Sequence, residues 1–242
     1  MKVYRSLFIG LIAVAAIADI YFGQQHPAFR LFSKPLLMPI IMGFYAWTTR
    51  LSSFHARLFL AALFFSWLGD IFLLFEANNG IYFILGLSAF LTAHVLYIIY
   101  FSRIRSNTTS FFRKRPVMFL GVVAYVVELL YLLWPRLGPM KFPVLVYALV
   151  IGTMLIMALW QYGKLPRPTA LLFIIGAMLF VLSDSALALN RFYQPHPYSG
   201  ILVMSTYVAA QVFLTLGSIA HLRQLKEINM ARHQGTLTAE NV

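Results

Sequence analysis

The chain contains no cysteine, which excludes disulfides, thiolate metal sites and a cysteine nucleophile. Charge is nearly as scarce, at 11% of residues against about 25% in a typical soluble domain. Acids are scarcest, with 7 Asp and Glu set against 19 Lys and Arg. A water-soluble domain is therefore excluded. So is a nucleic-acid module, because no soluble basic surface exists to present the net charge of +12. Apolar sequence takes the place of charge: 61% of residues are hydrophobic and 16% aromatic, with a mean hydropathy of +0.79. Runs of roughly 20 such residues each reach across a ~30 Å hydrocarbon layer at 1.5 Å per residue.

The pattern predicts an all-α integral membrane protein with eight transmembrane helices. Their approximate positions are 3–22, 35–49, 57–75, 81–101, 116–134, 142–161, 169–189 and 199–222. They form one domain over 1–222, followed by a polar cytoplasmic tail, 223–242, expected to fray. The second span is short and carries Pro39, so it starts earlier or is kinked. Tyr4, Trp47, Tyr82, Trp134 and Trp160 lie near span ends, where interfacial aromatics belong. Lys2 and Arg5, then an apolar run and Ala16-Ile17-Ala18 before Asp19, also have the form of a cleavable signal. The run is read here as a retained first helix.

Orientation follows from the cations. Lys2, Arg5, Arg50, Arg57, Arg103, Arg105, Arg113, Lys114, Arg115, Lys164, Arg167, Arg223, Lys226 and Arg232 fall on one side of the eight spans. Only Arg30, Lys34, Arg136, Lys141 and Arg191 fall on the other. The positive-inside rule then puts both termini in the cytoplasm. The bacterial inner membrane is the preferred location. A four-helix repeat is visible in outline: Gly69-Asp70 in span 3 parallels Ser183-Asp184 in span 7, and Lys34-Pro35 parallels Lys141-Phe142-Pro143. An even period makes the halves parallel rather than inverted.

A carboxylate at the bilayer centre costs about 2.5–3.5 kcal/mol on insertion scales, so its helix turns it toward protein or a cavity. Asp19, Asp70, Glu128 and Asp184 each fall within about 4–9 Å of the outer end of a span, by helix rise. Lys34 enters span 2 from the same side. These five predict one polar chamber open toward the outer leaflet, with His94 and Gln211 deeper, as its floor. Plainer readings stand beside this. Asp19 and Glu128 can be solvated or paired for packing, and His94 and Gln211 can be interhelical hydrogen-bonding residues. Asp70 and Asp184, well inside apolar helices and next to small residues, are the better functional candidates. No zinc site is predicted, since His26, His55, His196 and His233 fall in loops or the tail, His221 lies at a helix end, and no metal-ligand spacing occurs.

These residues resemble the YhhN-type lysoplasmalogenase family of eight-helix membrane proteins. The resemblance rests on Lys34-Pro35-Leu36 with Met38-Pro39, Phe65-Ser66-Trp67-Leu68-Gly69-Asp70, and Ala93-His94-Val95-Leu96-Tyr97. It continues through Tyr147, Ser183-Asp184 to Asn190-Arg191-Phe192, and Tyr207 to Gln211. It implies hydrolysis of the vinyl ether bond of lysoplasmalogens, releasing a fatty aldehyde and a glycerophospho-base, with Asp70 and Asp184 essential. No cofactor is expected, a carboxylate-only cation site being the weaker reading; the expected partners are the lysoplasmalogen substrate and membrane lipids, with no nucleic acid. Lys34, His94, Tyr147, Ser183, Asn190, Tyr207 and Gln211 are the supporting or substrate-binding candidates, with Asp19 and Glu128 added on depth alone.

The chemistry suits two carboxyls. Protonating the vinyl carbon distal to oxygen gives an oxocarbenium ion, and water adds to it, as paired carboxyls manage in glycosidases. Which aspartate is the acid stays open at this point. Lys34 is placed to bind the substrate phosphate as a point charge. The competing reading is an ion-coupled lipid or small-solute transporter, because intramembrane acids in repeated halves also mark transport.

Overall fold

The computed structural model describes residues 8, 10–12, 14, 15, 17, 27–104 and 119–240. Seven α-helices are named among the described residues: α1 Pro27–Thr49, α2 Phe54–Leu74, α3 Gly80–Ser102, α4 Leu120–Leu133, α5 Lys141–Leu159, α6 Arg167–Ala188 and α7 Ser199–Glu240. A five-residue π-turn, Leu189–Tyr193, extends α6. Of the first predicted span, Phe8 and Ile12 are helical and buried, and Phe8 stacks on Phe44 of α1 at 3.7 Å between ring centroids. Asp19 lies outside the described residues.

Among the described residues, five stretches are long and apolar enough to cross a membrane: Phe54–Leu74, Gly80–Ser102, Gly138–Leu159, Arg167–Tyr193 and Ser199–Ala231. They coincide with the spans predicted at 57–75, 81–101, 142–161, 169–189 and 199–222. Two ends lie beyond the predicted spans. α1 begins at Pro27, the earlier start that the short second span allowed for, and contains both Pro35 and Pro39, with Pro27 tolerated at a helix start. α7 continues to Glu240 instead of fraying after 222. Polarity ends the apolar span there, but Gln224 to Ala231 are mostly good helix formers without Gly or Pro, so the backbone has no reason to stop.

The side chains are distributed as a hydrocarbon solvent dictates. Leu36, Trp47, Phe142 and Leu182 point outward, while Ser66, His94, Gln211, Thr215 and Ser218 are fully buried. The core between them is aromatic: Phe59 packs edge-on against Tyr97 and Tyr100, at 5.4 and 5.2 Å, the geometry that ring quadrupoles favour. Small residues set the closest helix approaches. A Cβ on Gly69 would meet the Phe90 ring at 2.5 Å, and one on Gly176 would come within 3.0 Å of the Leu214 amide nitrogen. α2 therefore sits tight on α3, and α6 on α7.

One face of α7 is polar from Tyr207 to His221. Tyr207, Gln211, Thr215, Ser218 and His221 follow one another at three or four residues, so they stack in a single stripe. Tyr97 donates to Gln211 at 2.9 Å. Lower down, the Tyr45 and Tyr100 hydroxyls lie 2.9 and 3.0 Å from Ser218 Oγ, and Tyr100 lies 2.9 Å from His221 Nδ1. In an apolar medium these bonds act as interhelical glue. They tie α1, α3 and α7 together below the site.

Candidate functional site

Proline chemistry in α1 starts the construction of the site. Pro39 has no N–H, so the carbonyl of Pro35 lacks its helical partner. The indole Nε1 of Trp67 donates to that carbonyl at 2.8 Å. This bond pins α1 to α2 one turn from Asp70 and sets Lys34 beside it, with Nζ 3.8 Å from Asp70 Oδ1. Both side chains are largely buried, 12% and 5% exposed, so water screens the pair weakly.

The second carboxylate is held differently. Tyr147 of α5 donates a short hydrogen bond to Asp184 Oδ2. His94 Nε2, from α3, lies 3.2 Å from the same oxygen and 3.0 Å from the Tyr147 hydroxyl. His94 Nδ1 has no partner, so the network assigns the ring proton to Nε2, facing the two oxygens. None of these contacts involves Oδ1. Asp184 is therefore oriented by three helices with one carboxyl oxygen left over.

Between the two aspartates lies a cavity of about 740 Å³. Lys34, Asp70 and Glu76 line it, as do Ser183, Asp184 and Asn190, with the buried Tyr207 next to Asp70. Ser183 is also spent structurally, donating to the Val203 carbonyl of α7 at 3.0 Å. Asn190, in the π-turn, accepts from the His196 amide at 2.9 Å and so shapes the loop into α7. A second, narrow cavity of about 40 Å³ abuts the first. Its walls are almost wholly apolar, including Phe83, Leu87, Val144 and Phe192. Asp184 lines both cavities. One carboxyl thus stands where a polar chamber meets an apolar slot.

Of the predicted candidates, Lys34, Asp70, Ser183, Asp184, Asn190 and Tyr207 line the main cavity. His94 and Tyr147 support Asp184 from behind. Gln211 lies one turn below Tyr207, bonded to Tyr97. Glu128 is not brought to the site. It is exposed on α4, one turn after Tyr125, whose hydroxyl faces inward to donate to Ser185 Oγ at 2.8 Å. Depth along a span does not fix rotation about its axis. Sequence reading missed Glu76 and named Tyr97 only within the resemblance, not as a candidate site residue. The signals were that Glu76 is one of only 7 acids, and that Tyr97 shares a helical face with His94.

Comparison with known proteins gives a consistent result. A sequence model described as the YhhN family matches residues 29–218. Lysoplasmalogenase TMEM86A of Bos taurus is 32% identical over 183 residues, covering 70% of this chain and 68% of its own. Lysoplasmalogenase TMEM86B of Homo sapiens is 32% identical over 184 residues, covering 75% and 73%. The uncharacterized membrane protein YhhN of Escherichia coli O157:H7 is 33% identical over 155 residues, covering 62% and 68%. No solved structure matches the chain significantly.

Proposed function

Because the chain belongs to the YhhN family, we propose that this integral membrane protein is a lysoplasmalogenase. It hydrolyses the vinyl ether of a lysoplasmalogen to a fatty aldehyde and a glycerophospho-base. The observation that carries the reading is the position of Asp184 at the border of a polar cavity and an apolar slot. A lysoplasmalogen has its reactive bond at the same kind of border, between headgroup and hydrocarbon chain. The first carbons of the chain occupy the slot, the rest lie along the outward apolar face, and the glycerophosphate occupies the chamber.

That placement supports different roles for the two acids. The carbon to be protonated is the vinyl carbon on the chain side, which lies nearest the slot. Asp184 delivers the proton from Oδ1, with Oδ2 held by Tyr147 and His94. The oxocarbenium carbon then faces the polar chamber, where Asp70, with Lys34 as its counter-charge, takes a proton from the attacking water. The hemiacetal collapses as its C–O bond to glycerol breaks. The leaving oxygen receives the proton held by Asp70, and the hemiacetal hydroxyl returns one to Asp184. One water is consumed and both carboxyls are restored. Lys34 has three N–H donors and directs one toward Asp70, which leaves others for the substrate phosphate.

In this reading the protein has eight spans, both termini in the cytoplasm and the chamber opening toward the outer leaflet of a bacterial inner membrane. The parallel halves suggested by Gly69-Asp70 and Ser183-Asp184 would supply one acid each. The test is turnover of a defined lysoplasmalogen by detergent-purified protein, read as released aldehyde. Asp70→Asn and Asp184→Asn should each lower kcat by roughly 10²–10⁴-fold while the protein stays folded and inserted. Near-normal release by either variant overturns the assignment. Proton-driven solute uptake into sealed vesicles without product formation would favour the transporter instead.

A further inference from the structure

Glu76 is a carboxylate in the wall of the main cavity for which neither the fold nor the proposed reaction has a use. It stands in the turn that follows α2, two residues past Leu74. Its Oε2 is closed off from solvent and has no hydrogen-bond partner. An ionisable oxygen in that position is costly unless something binds it. Lys34, the basic residue lining the same cavity, is within ion-pair distance of Asp70, and among the described residues no ion pair reaches Glu76. Glu76 as a whole is only partly buried, so a cation from outside the protein can reach it through the cavity.

The groups that share the cavity with Glu76 say what kind of cation it is. Asp184 marks the junction with the apolar slot, and Lys34 and Asp70 line the same cavity as Glu76. Glu76 stands six residues after Asp70, roughly 9 Å away if the helical rise is carried through. A lysoplasmalogen carries the matching set of groups: vinyl ether, phosphate and the amine of the base. Tyr198 lines the same cavity and is 64% exposed, and an aromatic ring at a cavity wall is the kind of surface that attracts an alkylammonium group.

We propose that Glu76, assisted by Tyr198, is the subsite for the ammonium group of the lipid headgroup, ethanolamine or choline, and sets headgroup preference. The assignment rests on the lysophospholipid reading of the cavity and adds to it a recognition residue that takes no part in bond cleavage. Lys34 then reads the phosphate and Glu76 the amine.

The test compares two substrates with the same alkenyl chain, one carrying phosphoethanolamine and one a bare phosphate, on purified wild type, Glu76→Gln and Tyr198→Ala. Glu76→Gln should raise KM for the ethanolamine lipid about tenfold, the usual scale for a charge-assisted contact, and leave kcat near wild type. KM for the bare phosphate lipid should stay within about twofold. Equal changes for both lipids, or no change for either, overturn the proposal. A parallel binding titration uses lysophosphatidylethanolamine and lysophosphatidic acid, neither of which has a vinyl ether. Loss of the preference for the amine lipid in Glu76→Gln upholds the subsite even if no aldehyde is ever formed. Aldehyde release by wild type with no amine preference in binding overturns the subsite and leaves the hydrolase standing. A melting curve for each variant separates these outcomes from misfolding.

Discussion

The indole nitrogen of Trp67 satisfies the Pro35 carbonyl at 2.8 Å, the oxygen that Pro39 leaves without a donor. Two features that look unrelated in sequence, a proline pair in one helix and a tryptophan in the next, are one device. It locates Lys34 relative to Asp70. Trp67→Phe should keep most of the packing but orphan the carbonyl, lowering stability by about 1–3 kcal/mol. Thermal melts in detergent measure the loss, and KM should rise as Lys34 shifts. Adding Pro39→Ala to Trp67→Phe restores an N–H to the carbonyl, so the double variant should recover part of the stability. A double variant no more stable than Trp67→Phe alone contradicts the device.

The hydroxyl of Tyr147 and the ring of His94 converge on one oxygen of Asp184. If that oxygen is held so that the other can carry a proton to substrate, removing either support lowers kcat more than it raises KM. Tyr147→Phe should reduce kcat by about 10- to 100-fold, or 1.4–2.7 kcal/mol of barrier. His94→Gln, which keeps a donor, should lose less than His94→Leu. Steady-state kinetics on the three variants provide the check; unchanged kcat in Tyr147→Phe would separate the cluster from the chemistry.

The apolar slot predicts a change in chain selectivity. Val144→Phe or Leu87→Phe adds bulk where the first carbons of the chain would lie. Either should raise KM for long-chain substrate severalfold while sparing headgroup preference, since overfilling a packed site costs about 1–3 kcal/mol. Competition between lipids of different chain but equal headgroup reads this out directly. Equal KM for both chain classes in both variants argues against the slot as the chain's path.

Ser218 receives two tyrosine hydroxyls, Tyr45 and Tyr100, yet lies far along α7 from the cavity. Ser218→Ala should cost about 1–2 kcal/mol of stability, in line with interhelical hydrogen bonds in membranes, with kcat per folded molecule unchanged. Unfolding in detergent alongside aldehyde release distinguishes this from a direct part in turnover.

How much of this was legible beforehand depends on the dimension concerned. Position along the chain was readable: apolar runs locate most of the membrane spans to within a few residues, Asp70 and Asp184 stood out because charge inside such runs is costly, and Lys34 because it enters a span from the same side. Rotation about each helix axis was not. Glu128 and Asp70 have similar depth, but α4 turns Glu128 outward and uses Tyr125 for its inward contact, while α2 turns Asp70 into the cavity. The meeting of His94, Tyr147 and Asp184 joins three separate helices, and no spacing within one helix announces it. Glu76 follows the end of α2, where the apolar pattern has already stopped and an acid looks like ordinary loop. The extension of α7 past its span was hidden for the opposite reason: hydropathy stops there while helix propensity does not.

The shared wall at Asp184 also bears on what happens after the bond breaks. On the proposed reading an intact lysoplasmalogen would belong to both compartments and be retained by both. Once cut, the aldehyde would keep only the slot and the lipid for a solvent, and the glycerophospho-base only the chamber and water. The two products would then part into different phases, and recombination would require both to return at once.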